Sequence, residues 1–433
     1  MMPKPEGAKY EVAVVGLGYV GIPLAIGFAT AGCRTLGVDS DAERVEILQS
    51  GKSPLPHLGN AKIATALSDR RVRFSAEKCD LAESEAIIIC VPTPIRSHNE
   101  PDLGYVLSAA GEIAPWLRQG MLVCLESSTY PGTTGQDLRE VLESMSGLKA
   151  GEDFHLAFSP EREDPGNNGS VLHKMPKVIG GYTEGCLSRA LELYERVVEH
   201  PVPVSSCETA EAVKLTENIF RFVNIALINE LKRIYSAMDI DIWEVVEAAK
   251  TKPFGYMPFY PGVGVGGHCI PVDPFYLTWK AREYNLDTRF IELAGQINRS
   301  MPYYAVNHLL EALNARKRSL RGSRILVLGV AYKPGISDDR ESPSYRVMDL
   351  LRQKGAEVGY YDPYVPEIDA PGTPWHALRT LEWNRGNLAA FDAAIVCTAH
   401  REIDYKELAD VVPLVVDACN AVPKNRVACV VPA

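Results

Sequence analysis

The sequence predicts an α/β chain in which two doubly wound domains flank a helical middle. Three observations predict it. Short apolar, β-branched runs alternate with helical stretches from Tyr10 to Phe158, the pattern of parallel strands covered on both faces. From Cys207 the pattern turns almost wholly helical, and at Arg324 the α/β rhythm restarts. A chain of 433 residues is also too long for one ordinary domain.

Tyr10–Val15 is a continuous apolar run and the first expected strand, followed by a helix starting near Pro23. Further strands are expected at Cys33–Val38, Ala86–Val91, Met121–Glu126 and His155–Phe158, with a helix from Asp102 to Trp116. Strands separated by helices predict a parallel sheet with helices on both faces. Between Cys207 and Lys250, Val213, Phe220, Val223, Leu227 and Leu231 recur at helical spacing. So much apolar surface reads as either a subunit interface or helix packing within the chain. A second helical stretch covers Asp287–Arg318, and strands resume at Arg324–Leu328, Glu357–Tyr361, Ala393–Cys397 and Leu414–Asp417. The expected domains are residues 1–205, 206–318 and 319–433.

Composition narrows the function. A net charge of -10 argues against nucleic acid or an anionic membrane as the main partner. No apolar run approaches the ~20 residues of a membrane span, and the first residues lack a signal-peptide core. The ten cysteines form no CxxC pair, and Cys90, Cys124 and Cys397 lie in apolar runs. No metal site and a reducing, cytoplasmic setting are therefore expected.

Gly16-Leu17-Gly18-Tyr19-Val20-Gly21 follows a predicted strand and opens a helix. That is the context in which GxGxxG cradles a dinucleotide in a Rossmann-like domain. The first glycine turns the chain, the second admits the pyrophosphate, and the third lets helix and strand pack. Asp39 ends the second strand, where a carboxylate accepts ribose hydroxyls and repels a 2′-phosphate, so NAD is favoured over NADP. Arg44 weakens that preference slightly. The second α/β region carries Gly329-Val330-Ala331-Tyr332-Lys333 instead, so its ligand need not match.

Pro261–Pro274 reads PGVGVGGHCIPVDP, with Cys269 among glycines and Asp273 four residues on. A cofactor that accepts hydride and an accessible thiol together fit aldehyde oxidation through a thioester. That chemistry needs an oxyanion site, a proton acceptor and an activated water. Lys214 and Asn218 share one helix face and offer an ammonium and an amide. Three polar, proline-bearing segments leave expected strands: Val91-Pro92-Thr93-Pro94, Ser127–Gly132 and Ser159–Glu163. In such sheets ligands gather there.

These motifs, in this order over the whole chain, resemble the UDP-glucose/GDP-mannose dehydrogenase family. The match runs through GLGYVG, PTP at Pro92–Pro94, SSTYPGTT at Ser127–Thr134 and SPE at Ser159–Glu161. It continues through KLTEN at Lys214–Asn218, GVGGHCIPVD at Gly264–Asp273 and AYKPGISDDRES at Ala331–Ser342. The resemblance implies a four-electron oxidation of a sugar C6 alcohol to a carboxylate, using two NAD+. Cys269 would be the nucleophile, with Lys214 and Asn218 stabilising the oxyanion and holding the sugar. Asp273, Glu161 and Thr129 would organise water or carry the proton, the base among them left open. Gly16, Leu17, Gly18, Tyr19, Val20, Asp39, Arg44, Thr93 and Thr129 would line the NAD site, joined by Arg340. Phe259, Tyr260, Gly266 and Lys333 would contact the nucleotide sugar, and the helical middle would build a dimer.

SPEREDPGN and KPFGYMPFYPGVGVGGHCIPVDPFYL are most similar to the branch that oxidises UDP-N-acetylhexosamines. UDP-N-acetylglucosamine is the favoured substrate, with UDP-N-acetylgalactosamine or UDP-glucose as alternatives. Two departures from the UDP-glucose pattern fit that branch. Pro165 replaces a glutamate, and Val272 replaces a lysine. Arg162 then becomes a candidate sugar or phosphate contact. A two-electron dehydrogenase would not need Cys269, and a non-catalytic nucleotide sensor would need no turnover at all.

Overall fold

The computed structural model describes the chain except residues 1, 3, 6, 56–57, 97–99, 163–173 and 424–428. It divides into two compact units, Met1–Glu217 with Phe275–Asp287, and Asn218–Pro274 with Thr288–Ala433.

In the first unit eight strands form one sheet: β1 (Val12–Val15), β2 (Thr35–Val38), β3 (Val72–Ser75), β4 (Ala86–Ile89), β5 (Leu122–Leu125), β6 (His155–Phe158), β7 (Lys177–Gly181) and β8 (Pro201–Val204). Their order is β3-β2-β1-β4-β5-β6-β7-β8. Alternate residues of β1 feed opposite cores, Ala13 and Val15 on one face and Val12 and Val14 on the other. Burial on both faces explains the unbroken apolar run. The order reverses between β1 and β4, the switch point where such sheets bind ligands.

The strands from β1 to β6 pair in parallel, as expected. Beyond them β7 runs antiparallel to β6, pairing Phe158 with Gly180. A parallel pair needs a crossover, usually a helix, and the Pro-, Gly- and Asn-rich sequence after Phe158 has no helical period.

In the second unit five parallel strands take the order β10-β9-β11-β12-β13. They are β9 (Arg324–Leu328), β10 (Glu357–Tyr361), β11 (Ala393–Val396), β12 (Leu414–Asp417) and β13 (Cys429–Pro432). Ile325 and Val327 face one core, Leu326 and Leu328 the other. The helix Arg289–Ala315 buries Val306, Leu309 and Leu313 in the first of these cores.

The long helix Cys207–Ala237 begins in the first unit and ends in the second. Its apolar spacing does not mark one buried stripe. Phe222, Ala226 and Ile228 are buried, whereas Phe220, Leu227 and Ile234, seven residues apart, are about half exposed.

Candidate active site

The dinucleotide cradle lies in the first unit. Gly16 has a positive φ of 93°, and a Cβ there would sit 2.5 Å from the Cys90 carbonyl oxygen. At Gly21, first residue of the helix Gly21–Thr30, a Cβ would sit 1.8 Å from the Gly16 oxygen. At Gly18 a Cβ would meet nothing within 4 Å, so that face of the turn is open, as a pyrophosphate requires. Asp39 Oδ2 accepts from the Leu17 amide at 2.6 Å, and Oδ1 from the Asp41 amide at 2.9 Å. Arg44 Nη1 stands 3.4 Å from Asp39 Oδ2, so its charge is matched locally. The side chains of Leu17, Tyr19 and Val20 belong to the apolar packing.

Two of the three strand exits are tied to each other, and one of them to the helix that follows Cys269. Ser127 Oγ donates to the Val91 carbonyl at 2.7 Å, and Tyr276 donates to the Thr93 carbonyl. Thr129 is 1% exposed, and its hydroxyl has no hydrogen-bond partner among the described residues. An orphaned buried hydroxyl costs free energy; a bound ligand or water would satisfy it. The residues thus fit a dinucleotide.

The first half of the long helix reaches these exits through three charged residues at three-residue spacing. Glu211 accepts from the Gly132 amide (2.7 Å), the Thr134 amide (2.8 Å) and the Thr134 hydroxyl (2.7 Å). Lys214 Nζ donates to the Glu161 carbonyl at 2.5 Å. Glu217 pairs with Arg162, whose Nη1 also donates to the Pro176 carbonyl at 2.6 Å. Arg162, a candidate ligand contact by sequence, is thus engaged by the protein. Glu163, Asp164 and Pro165, on which one departure from the family pattern rests, lie outside the described residues.

Below Glu161 is a buried network. Lys177 Nζ is 2.9 Å from Glu126 Oε2, 3.4 Å from the Pro160 carbonyl and 3.9 Å from Glu161 Oε2. Tyr194 donates to Glu126 Oε1 at 2.5 Å. Burial pushes the Glu126 carboxyl up, against the pull of Lys177. For Lys177 burial pushes downward, but Glu126 and Glu161 outweigh it and hold the ammonium well above its ordinary value. Burial pushes Glu211 up to about 7, against its hydrogen bonds. Sequence reading missed Glu126, Lys177, Glu211 and Glu217. The available signal was a charge at the end of an apolar run, or one turn from Lys214.

The thiol lies in the second unit. Cys269 is exposed, and its carbonyl accepts from the amides of Val272 (3.1 Å) and Asp273 (2.8 Å). Asp273 opens the helix Asp273–Glu283, is 2% exposed, and accepts from Asn218 Nδ2 at 2.6 Å. The glycines before Cys269 serve packing. A Cβ at Gly266 would sit 2.7 Å from Tyr332 Cβ, and one at Gly267 2.9 Å from the Tyr332 ring. Gly267 donates to the Arg340 carbonyl at 3.1 Å, and Gly262 to Asn229 Oδ1 at 3.0 Å. Phe259 packs edge-on against Phe220, and Tyr260 stacks on Trp243. Arg340 pairs with Asp338 at 2.6 Å, and Lys333 is half-buried in the turn after β9.

The second α/β region echoes the first without repeating its site. Asp362 follows β10 as Asp39 follows β2, but it is 1% exposed. Its Oδ2 accepts from the amides of Val330 (2.8 Å) and Ala331 (2.9 Å) and faces His400 Nε2 at 3.1 Å. His400 Nδ1 accepts from the Gly335 amide, so Nε2 carries the proton and donates to Asp362. A carboxylate so occupied has no capacity for a ribose.

Comparison with known families matches three successive domains of one family. Its NAD binding domain covers residues 10–198, its central domain 208–300 and its UDP binding domain 326–424. The chain belongs to the UDP-glucose/GDP-mannose dehydrogenase family. As a member of it, this UDP-sugar dehydrogenase is an NAD-dependent oxidoreductase. The helical middle is the family's central domain, and the region with the occupied Asp362 is its UDP binding domain. The dehydrogenase is 38% identical over 357 residues to a UDP-N-acetyl-D-mannosamine dehydrogenase of Pyrococcus horikoshii, covering 82% of this chain and 84% of that protein. It is 36% identical over 402 residues to a UDP-N-acetyl-D-glucosamine 6-dehydrogenase of Pseudomonas aeruginosa, covering 90% and 91%. The solved UDP-N-acetylmannosamine dehydrogenase structure from Pyrococcus horikoshii aligns with a TM-score of 0.88 at 33% identity, over 97% of this chain and 98% of that one. Among the described residues no helix is long and apolar enough to cross a membrane.

Proposed function

We propose that the chain oxidises the C6 alcohol of a UDP-N-acetylhexosamine to a carboxylate through a thioester on Cys269. The observation that carries this reading is an exposed thiol four residues before a buried carboxylate, Asp273, which Asn218 holds at 2.6 Å. Per sugar, one alcohol, one water and two NAD+ give one carboxylate, two NADH and three protons.

NAD+, bound at Gly16–Gly21, Asp39, Thr93 and Thr129, supplies the hydride acceptor for both oxidations. A base removes the C6 hydroxyl proton as the aldehyde forms. The Cys269 thiolate then adds to the carbonyl carbon, and the resulting oxyanion is met by the Lys214 ammonium and the Asn218 amide. After the second oxidation a water attacks the thioester. Its proton passes to the set Asp273, Glu161 and Thr129, and the thiolate leaves. Phe259, Tyr260, Gly266, Lys333 and Arg340 are assigned to the ligands on their motifs alone. The functional regions are placed at residues 1–205, 206–318 and 319–433. A homodimer is proposed on the exposed seam Phe220, Leu227 and Ile234; Leu227→Glu should halve the mass in light scattering, and an unchanged mass rejects that seam.

UDP-N-acetylglucosamine is the favoured substrate on the resemblance of the loops around Glu161 and Cys269. The Pyrococcus relative's name favours UDP-N-acetylmannosamine as the second reading. The test is NADH formed per sugar consumed, with UDP-N-acetylglucosamine, UDP-N-acetylmannosamine, UDP-N-acetylgalactosamine and UDP-glucose side by side. Two NADH per sugar, lost in a folded Cys269→Ser variant, supports the thioester. One NADH per sugar rejects it, and another sugar running fastest rejects only the substrate.

A further inference from the structure

Glu211 is a fully buried carboxylate, and no cation pairs with it among the described residues. Burying such a charge is costly even when it is hydrogen-bonded, and an apolar side chain would fill the same space at less expense. Its three bonds run to residues more than seventy positions away in sequence. They satisfy amides at the start of the helical turn Thr133–Leu138, donors that a local Ser or Asp normally takes. Gly132 reaches Glu211 with a φ of 106°, a left-handed angle that favours glycine.

The segment so held is the exit from β5. Its near end is fastened by Ser127 on the Val91 carbonyl, and its far end by Glu211. Thr129, with its orphaned hydroxyl, lies between the two. Glu211 is also one helical turn before Lys214, whose ammonium rests on the Glu161 carbonyl.

We propose that Glu211 is a positioning residue that holds the Thr129 segment in register with the helix bearing Lys214. This rests on the reading of Thr129 as a site residue. Glu211 touches neither substrate nor cofactor in this account; it acts through the Gly132 and Thr134 amides.

The experiment is a double-mutant cycle on kcat/KM with Thr129→Ala and Glu211→Gln, with thermal unfolding of each variant measured alongside. Gln keeps the shape but turns an amide donor toward backbone donors. Each single variant is expected to lose about 10-fold, the scale of one charge-assisted hydrogen bond. The double variant should fall no more than about 2-fold below the worse single, because a displaced segment has already lost Thr129. Losses that multiply overturn the proposal, as does a Glu211→Gln variant with lowered Tm and unchanged kcat/KM. Should Glu211→Gln fail to fold, Thr134→Val removes only the hydroxyl donor and takes its place, with about a 3-fold loss expected and the same criterion. Thr129→Ala with full activity would reject the site reading and the proposal together. An impaired Thr129→Ala in an additive cycle rejects the proposal alone.

Discussion

Replacing Lys177 by Met should destabilise the first unit by about 3–5 kcal/mol, the range for removing one partner of a buried ion pair. Both partners are buried, with side-chain exposures of 5% for Lys177 and 0% for Glu126. Met fills most of the volume, so the loss is electrostatic. Glu126 keeps only the Tyr194 hydroxyl among the partners named here, and the Pro160 carbonyl loses its donor. Adding Glu126→Gln removes the stranded charge while keeping an acceptor for Tyr194. The double variant should therefore recover all but about 1 kcal/mol, one ordinary buried hydrogen bond. Urea unfolding followed by far-UV circular dichroism measures both, as a shift in midpoint at constant slope. Burial already holds the Glu126 carboxyl high. The penalty on its charge is full where it is ionised, so the Lys177→Met deficit should shrink as pH falls and Glu126 takes up a proton. A loss below 1 kcal/mol, or a double variant no better than the single, would refute the reasoning.

The two glycines of the cradle should separate binding from folding. Gly18→Ala, with open space at its Cβ, should leave Tm unchanged and weaken NAD+ binding in calorimetry. Gly21→Ala, with 1.8 Å to the Gly16 oxygen, should force the helix off the strand and cost at least about 3 kcal/mol, as overpacking does at its upper range. In the second unit, burial pushes Asp362 up, but the bonds from His400 and the loop amides outweigh it and hold its carboxyl below the ordinary range. Its stabilisation is thus present above the unfolded pKa of about 3.9 and lost as pH falls through the lower folded value. Asp362→Asn should cost about 1–3 kcal/mol at pH 7, with the Tm difference from the parent closing below about pH 4.

Most of the fold was legible because buried strands write continuous apolar runs; Arg324–Leu328 and His155–Phe158 match to the residue. What escaped has physical reasons. The strand at Pro201–Val204 carries two prolines, which an edge strand tolerates and a sequence reading discounts. The helix Asp273–Glu283 begins beside Pro274, a residue that marks loops yet is favoured in a first helical turn. The glycine-rich cradle was readable residue by residue, since its strand, turn and helix are contiguous in sequence. Glu126, Lys177 and Glu211 were not, because each matters through a partner far along the chain. The glycines before Cys269 carry no sequence sign of what they pack against, and the structure fills the space beside Gly266 with Tyr332 and Pro343.

That filling has a consequence for the order in which the protein is made. The seat of the cysteine loop is built from residues the ribosome adds later, Tyr332, Arg340 and Pro343. While the chain is still being synthesised, Cys269 has emerged but its loop has nothing to close against. The loop therefore acquires its final conformation only as the C-terminal region folds, and an incomplete chain carries Cys269 without the seat of its loop.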